Sequence, residues 1–412
     1  MIQRVLLVSP ARSYRHAAYL DAAYELGLEI TILSDSRYSL TREVADGISV
    51  NFSDPDAAVS EVVQAARSKP FSGVVATDDG SVEIAARVAD ALALPFNSPR
   101  TAKLTRRKDL SRRCLLEAAV RVPDHRLINL GADIGEQCAA LIYPQVLKPV
   151  SLSASRGVIR VDSFEEAVAA CKTIARITVT LADEEERNLI LAERYIPGDE
   201  FALEGILDEG ALATLALFDK PEPLVGPFFE ESYYISPSRK PKALQAQIED
   251  TVSDACRALG LHQGPVHAEV RVNAEGVWVL EVASRTIGGE CSKSLDQVLQ
   301  RPLEHYVLAA AVGLPVAPER RLNATGVLMI PIPATGVLRR ISGESAAREV
   351  PGVWDIRLAV EPGQVVDALP TGGGYLGFIF GEGETPELVE SRLRQAHELL
   401  DIKIDPLLNS RF

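Results

Sequence analysis

The chain has 412 residues, 57 of them acidic and 43 basic, for a net charge of -14. That length suits about two or three packed domains, and the acidic balance argues against a nucleic-acid backbone as partner. Apolar residues make up 47% and charged residues 24%, a globular balance with no apolar run of membrane-spanning length.

The N-terminal region alternates short apolar runs with helical patterns. Val5–Val8, Ile30–Leu33 and Gly73–Ala76 read as buried strands. Ala17–Leu26, stopped by Gly27, and Ser81–Leu92 read as helices. This order predicts a parallel sheet covered by helices on both faces. The loop after the first strand, Ser9-Pro10-Ala11-Arg12, has no G-x-G-x-x-G, so the unit reads as scaffold. Met1–Val8 is too short in apolar content for a signal peptide. The five cysteines are odd in number and lack C-x-x-C spacing. They predict reduced thiols in a cytoplasmic setting.

Thr101–Arg113 is strongly basic, with Lys103, Arg106, Arg107, Lys108, Arg112 and Arg113. Two readings stay open: a solvated helix face, or one or two cations aimed at a phosphate. Tyr143–Pro149 reads as a strand ending in Lys148, followed by a small-residue turn over Ser151–Gly157 and a strand over Val158–Val161. The turn lacks G-x-x-x-x-G-K-[ST] and is no P-loop. Ser163, with Glu165 and Glu166 behind it, reads as a helix cap. Leu189–Gly198 is a strand breaking into a turn, and Glu200–Gly205 alternates as an antiparallel strand does. From Ala324 a third unit of short strands ends in a helix over Pro386–Leu400.

The most informative stretch runs from Gly264 to Arg285. Two strands flank a turn, and Gly276 fits the left-handed position of a three-residue loop, Ala274–Gly276. That register sets Asn273 opposite Val277 and Glu269 opposite Glu281, with Arg271 and Val279 between them and the turn. Opposed carboxylates destabilise a sheet unless a cation compensates them, and magnesium with phosphate oxygens is a natural one. The bland alternative has one glutamate facing solvent or paired by Arg271. A register slip of one residue would separate the two faces. Arg285, ahead of Thr286-Ile287-Gly288-Gly289-Glu290, could neutralise a transferring phosphoryl or acyl-phosphate group. His262 and His267 with Cys256 fit no common zinc spacing. His267 reads as a substrate-site or core histidine, and Gly372–Gly374 as a tight bend.

Lys108, Val146-Leu147-Lys148-Pro149, the Ser151–Gly157 loop, Glu193-Arg194-Tyr195-Ile196-Pro197-Gly198, Glu200, His267-Ala268-Glu269 and Glu281-x-x-x-Arg285 stand in the order of an ATP-grasp enzyme. The chain resembles the carboxylate–amine ligase branch that includes L-amino acid ligases, and Gly326–Pro331 with Gly374–Phe380 is similar to the C-terminal subdomain of its members. The resemblance implies an α/β and α+β fold. A Rossmann-like pre-ATP-grasp domain would span 1–105, a lid subdomain 106–192, a large subdomain with the metal site 193–322, and a C-terminal α+β subdomain 323–412.

It also implies roles. Lys108 and Lys148 would hold the ATP phosphates, with Lys148 and Arg285 catalytic, and Ser153, Ser155 and Gly157 would form the phosphate flap. Glu193, Arg194, Tyr195 and Ile196 would be the hinge that reads adenine, and Glu200 would bind the ribose. Glu269 and Glu281 would ligate magnesium; His267, Arg285, Gly288 and Gly289 would meet substrate. Many ATP-grasp enzymes have E-x-N-x-R, and here the asparagine position is Ala283. The implied activity is ATP- and magnesium-dependent amide formation through an acyl phosphate, with an amino acid as one substrate. Its partners would be small-molecule carboxylates and amines, with no nucleic acid and no membrane, and a homodimer is the open assembly state. The acceptor pocket is expected from Gly226–Pro237, Gly288–Ser294 and the C-terminal subdomain. Two competitors remain: a bicarbonate-activating enzyme like biotin carboxylase, and a non-catalytic ATP-binding scaffold.

Overall fold

The computed structural model describes residues 2–11, 13–35, 46–318 and 323–407. The N-terminal unit is a four-stranded parallel sheet in the order Asp46–Ser49, Glu29–Ser34, Arg4–Val8, Gly73–Ala76. Helices His16–Leu26, Pro55–Ser68 and Asp79–Ala91 pack around it, so Arg4–Val8 is buried along its whole length. The first of these helices ends at Gly27, whose φ of 65° a side chain would oppose. Asp46–Ser49 and Pro55–Ser68 escape the sequence reading, because the edge strand DGIS carries no apolar run. Asp79–Ala91 begins two residues before the expected Ser81. Asp78 is the true cap: its carboxylate accepts the Gly80 and Ser81 N–H groups, and Ser81 Oγ answers the Asp78 N–H.

A second, antiparallel sheet forms the lid, in the order His125–Asn129, Leu189–Arg194, Gln145–Pro149, Ile159–Val161. Helix Phe164–Thr178 backs it, capped as expected by Ser163, whose hydroxyl accepts the Glu166 N–H at 3.2 Å.

The largest sheet has eight strands, in the order Gly276–Ala283, Gly264–Asn273, Asp199–Asp208, Ala211–Lys220, Tyr233–Ser236, Ala324–Ile330, Gly377–Gly383, Val353–Leu358. Tyr233–Ser236 hydrogen-bonds directly to Ala324–Ile330. The expected boundary between 322 and 323 therefore divides the chain but not the sheet. A small sheet of Val365–Val366, Gly336–Ser342 and Asp401–Asp405, with helix Pro386–Glu398, completes the C-terminal unit.

The hairpin after Gly264 differs from the expectation in two ways that cancel. Asn273 faces Gly276 rather than Val277, so the turn is two residues long, and Arg271 faces Trp278 rather than Val279. A β-bulge at Leu280 then adds one residue to the second strand, which restores Glu269 opposite Glu281.

Candidate active site

Period-two alternation places the polar side chains of four neighbouring strands on one face of the large sheet. Its ladders form three rows: Lys220–Glu200–Arg271, Phe218–Ala202–Glu269–Glu281, and Ala216–Glu204–His267–Ala283. The intervening Phe201, Leu203, Ala268 and Val270 turn to the opposite face and pack into a core with helix Lys242–Leu259. The polar face, the lid sheet and the N-terminal unit enclose a cavity of about 430 Å3.

From the lid, Lys148 enters at the end of its strand and pairs with Glu193, which also pairs with Arg112. Burial pushes the Glu193 carboxyl up, but Arg112 and Lys148 outweigh it and hold the group below the usual carboxylate range. The basic segment is two helices, Pro99–Arg106 and Lys108–Glu117, and most of its charge is spent inside the protein. Arg106 pairs with Glu83 and Glu186, and Arg107 with Asp109 and Glu185. Arg107 and Arg112 are among the most buried large side chains. Among the described residues of that segment only Lys108 lines the cavity, donating to Leu152 O at 2.9 Å and pairing with Glu281 at 3.1 Å. The solvated-face reading does not describe the segment, whereas Lys108 is one cation placed where the second reading expected one or two.

Glu269 and Glu281 both line the cavity, and each has its own cation. Glu269 lies 2.7 Å from Lys220 Nζ, which also contacts Glu200 at 2.9 Å and Glu231 at 2.8 Å. Three carboxylates share this ammonium, while Glu200 also pairs with Arg271 and Glu269 lies 3.6 Å from His267 Nε2. Burial, reinforced by Glu269, raises the Glu231 carboxyl to about 7, and Tyr234 donates to it at 2.6 Å. Ligand atoms of Glu200, Glu231 and Glu269 lie within 4.8 Å of one another and could hold a cation. Arg271 does not pair with the opposed glutamates: its Nε donates to Glu200 at 2.7 Å. Both Glu200 oxygens are thus engaged by protein cations, so the expected ribose contact would have to compete with them.

His267 Nδ1 pairs with Glu204, whose other oxygen accepts the Ile287 N–H at 3.0 Å. Its Nε2 lies 3.6 Å from Glu269. Burial alone would lower this imidazole, but Glu204 and then Glu269 raise it to about 9. Arg285 lines the cavity beyond Glu281 and donates to Asp79 at 3.0 Å. Burial would raise Asp79, but Arg285 and then Lys108 hold it below its ordinary value.

Ser153 and Ser155 line the cavity with Leu152 and Ala154, whereas Gly157 does not. The Gly157 N–H donates to Pro370 O at 2.8 Å, so that group is not directed at a phosphate. Glycine is needed there for a different reason: φ is 75°, and a Cβ would sit 2.8 Å from the Pro149 ring. Glu193, Arg194, Tyr195 and Ile196 all line the cavity. The Arg194 and Tyr195 N–H groups donate to Asp124 O at 2.8 Å and Pro144 O at 3.1 Å, and Arg271 donates to the Ile196 carbonyl at 2.8 Å.

All three segments expected for the acceptor pocket reach the cavity: Phe229, Glu231 and Tyr234, then Gly288, Gly289 and Cys291, then Met329 and Tyr375. Sequence reasoning missed the contribution of the N-terminal unit, which supplies Tyr14, Arg15, Asp78 and Asp79. A topological signal existed, since open parallel sheets bind ligands beyond the carboxyl ends of their strands. Lys220 was also missed, since it lies in no motif, and Glu231 was expected only as part of the Gly226–Pro237 segment.

Three family models match the chain. An ATP-grasp domain model matches 141–294, an ATP-grasp N-terminal domain model matches 20–96, and L-amino acid ligase C-terminal domain 2 matches 328–405. The crystal structure of L-amino acid ligase from Bacillus licheniformis superposes with a TM-score of 0.81 at 25% identity, covering 98% of this chain and 99% of that one. The chain belongs to the ATP-grasp superfamily. Its relatives include a D-alanine–D-alanine ligase from Ectopseudomonas mendocina, 26% identical over 43% of this chain and 54% of that protein. Dapdiamide A synthase from Enterobacter agglomerans is 24% identical over 56% of this chain and 54% of that protein. Both matches span about half the length of those relatives. The ATP-grasp chain is an enzyme of the ligase class that forms carbon–nitrogen bonds with ATP. Its departure at Ala283 has a structural counterpart: Ala283 faces His267 in the ladder, so an imidazole occupies that row beside Glu269.

Proposed function

We propose that the protein phosphorylates the carboxylate of an amino acid with ATP and passes the acyl group to the amine of a second substrate, releasing ADP and phosphate. The observation that carries this reading is the meeting of Lys108, Lys148, the Glu269/Glu281 pair and Arg285 in one cavity beneath the Ser151–Gly157 turn. Lys148 and Lys108 would hold the phosphate chain from the lid side. Glu193–Ile196 would border the adenine, with recognition falling to hinge groups other than the Arg194 and Tyr195 N–H.

Glu269 and Glu281 would hold magnesium, since the two carboxylates stand opposite each other in the ladder and both line the cavity. When bound, the ion would neutralise phosphate oxygens during transfer. Arg285, fixed by Asp79, would face the charge that develops on the transferring phosphoryl group and then on the acyl phosphate. Ile287, Tyr234, Met329 and Tyr375 give the far side of the cavity apolar surface, which suits an amino acid side chain. Positioning and electrostatics, rather than a covalent enzyme intermediate, would supply the rate. Thr286-Ile287-Gly288-Gly289-Glu290 after Arg285 lacks the glutamine-valine-glutamate-histidine continuation of biotin carboxylases, which favours the amine-ligase reading. The five cysteines are all free thiols, which supports a cytoplasmic setting. Assembly as a homodimer is part of the same proposal.

Trapping the activated acid tests the reading. ATP, magnesium and single amino acids with hydroxylamine should yield a hydroxamate and ADP. AMP and pyrophosphate would indicate adenylation and overturn it, and so would the absence of hydroxamate with every carboxylate tried.

A further inference from the structure

The Ser151–Gly157 turn does not keep its shape by local preference alone. Ala154 and Ser155 both have left-handed backbones, with φ of 55° and 53°, a conformation that non-glycine residues adopt at a cost. Its own turn bonds, Lys108 on the Leu152 carbonyl and Ser151 on Glu186 hold part of it, and further contacts come from the C-terminal unit. The Gly157 N–H donates to Pro370 O at 2.8 Å, and Arg156 Nε donates to Thr371 O at 3.0 Å. Gly373 packs against the same turn: a Cβ placed there would lie 3.5 Å from Ala154 Cβ and 3.6 Å from Arg156 Cβ. The receiving loop is itself braced, since the Gly372 N–H donates to Ala368 O at 3.0 Å and the Ala368 N–H to Thr335 Oγ1 at 3.0 Å. At the base of the lid the Arg160 N–H donates to Pro227 O at 2.8 Å. Only one residue beyond Gly374, Tyr375 lines the cavity.

We propose that the Pro370–Gly374 loop is the receptor that holds the flap closed over the activated carboxylate, with Arg156 as a positioning residue. An occupant touching Tyr375 bears on the same loop that grips the flap, so closure and filling of the acceptor side are linked. A closed flap keeps water from the acyl phosphate until the amine arrives. This rests on the ligase reading above.

The test measures phosphate released and amide formed in parallel, together with hydrogen exchange of the flap amides. In Arg156→Ala the phosphate released per amide should rise several-fold, and the Gly157 amide should exchange faster. Arg156→Lys, which keeps a donor, should recover part of both. Gly373→Val leaves Arg156 in place but wedges the receptor from the flap, and should reproduce the uncoupling if the alanine variant fails to fold. A wild-type phosphate-to-amide ratio with unchanged flap exchange in folded variants would overturn the clasp. So would equal loss of both products at a constant ratio, the mark of a merely structural role. Failure of the ligase reading looks different: the wild-type protein would then make no amide, while the exchange measurement would still judge the clasp.

Discussion

Arg285 Nε and Asp79 Oδ2 meet at 3.0 Å across 206 residues of sequence. The pair joins the N-terminal unit to the strand end that carries Glu281, and it fixes the guanidinium at the cavity wall. Removing Arg285 should slow turnover roughly a hundred- to a thousandfold, the usual cost of losing one preorganised donor of this kind. Asp79→Asn keeps the shape but removes the counter-charge. It should lower kcat about tenfold while leaving the KM for ATP near wild type, since Asp79 acts through Arg285. Steady-state kinetics on both variants checks this; an unchanged kcat in Asp79→Asn would deny the positioning role.

Lys148→Ala should remove ATP binding and nearly all activity from a protein that still folds. Folding survives because Glu193, the partner left behind, keeps its second ion pair with Arg112. A buried carboxylate stripped of every partner would cost about 3–5 kcal/mol, so Lys148→Ala should lose clearly less than that in denaturant unfolding. Nucleotide affinity measured by calorimetry decides the phosphate role, and wild-type affinity would exclude it.

Glu281→Gln should raise the magnesium needed for half-maximal activity about tenfold, because one of two opposed carboxylates then carries no charge. Lys108 contacts Glu281 at 3.1 Å and would be freed by the same change. The magnesium titration should therefore be run at saturating ATP, where altered phosphate contacts weigh least.

The His267–Glu204 pair makes stability depend on pH in a defined direction. Folding raises the imidazole from 6.5 to about 9. The pair's contribution is therefore fully present below about pH 6.5 and is lost as pH rises through about 9. Thermal unfolding of wild type and His267→Gln should differ most at pH 6 and converge above about pH 9. A gap that widens toward alkaline pH would contradict the assignment.

The sequence by itself determined what local pattern and order can encode. The parallel N-terminal strands, the Gly27 stop, the Ser163 cap and the opposed Glu269 and Glu281 all follow from periodicity and residue chemistry. Even there the agreement at the two glutamates hides a shorter turn and a compensating bulge at Leu280. Bulge position depends on packing against neighbours such as Arg112, which donates to the Leu280 carbonyl from a distant helix. Only the tertiary structure decided which charges reach the cavity. Arg106, Arg107 and Arg112 look like Lys108 in sequence, yet the fold spends the three arginines on buried carboxylates and leaves the lysine at the cavity. Lys220 reaches three acids, and Asp79 reaches Arg285, through contacts that no sequence spacing records. Spacing along the chain fixes a side chain's face, whereas its partner across the fold is set by how the sheets and helices pack.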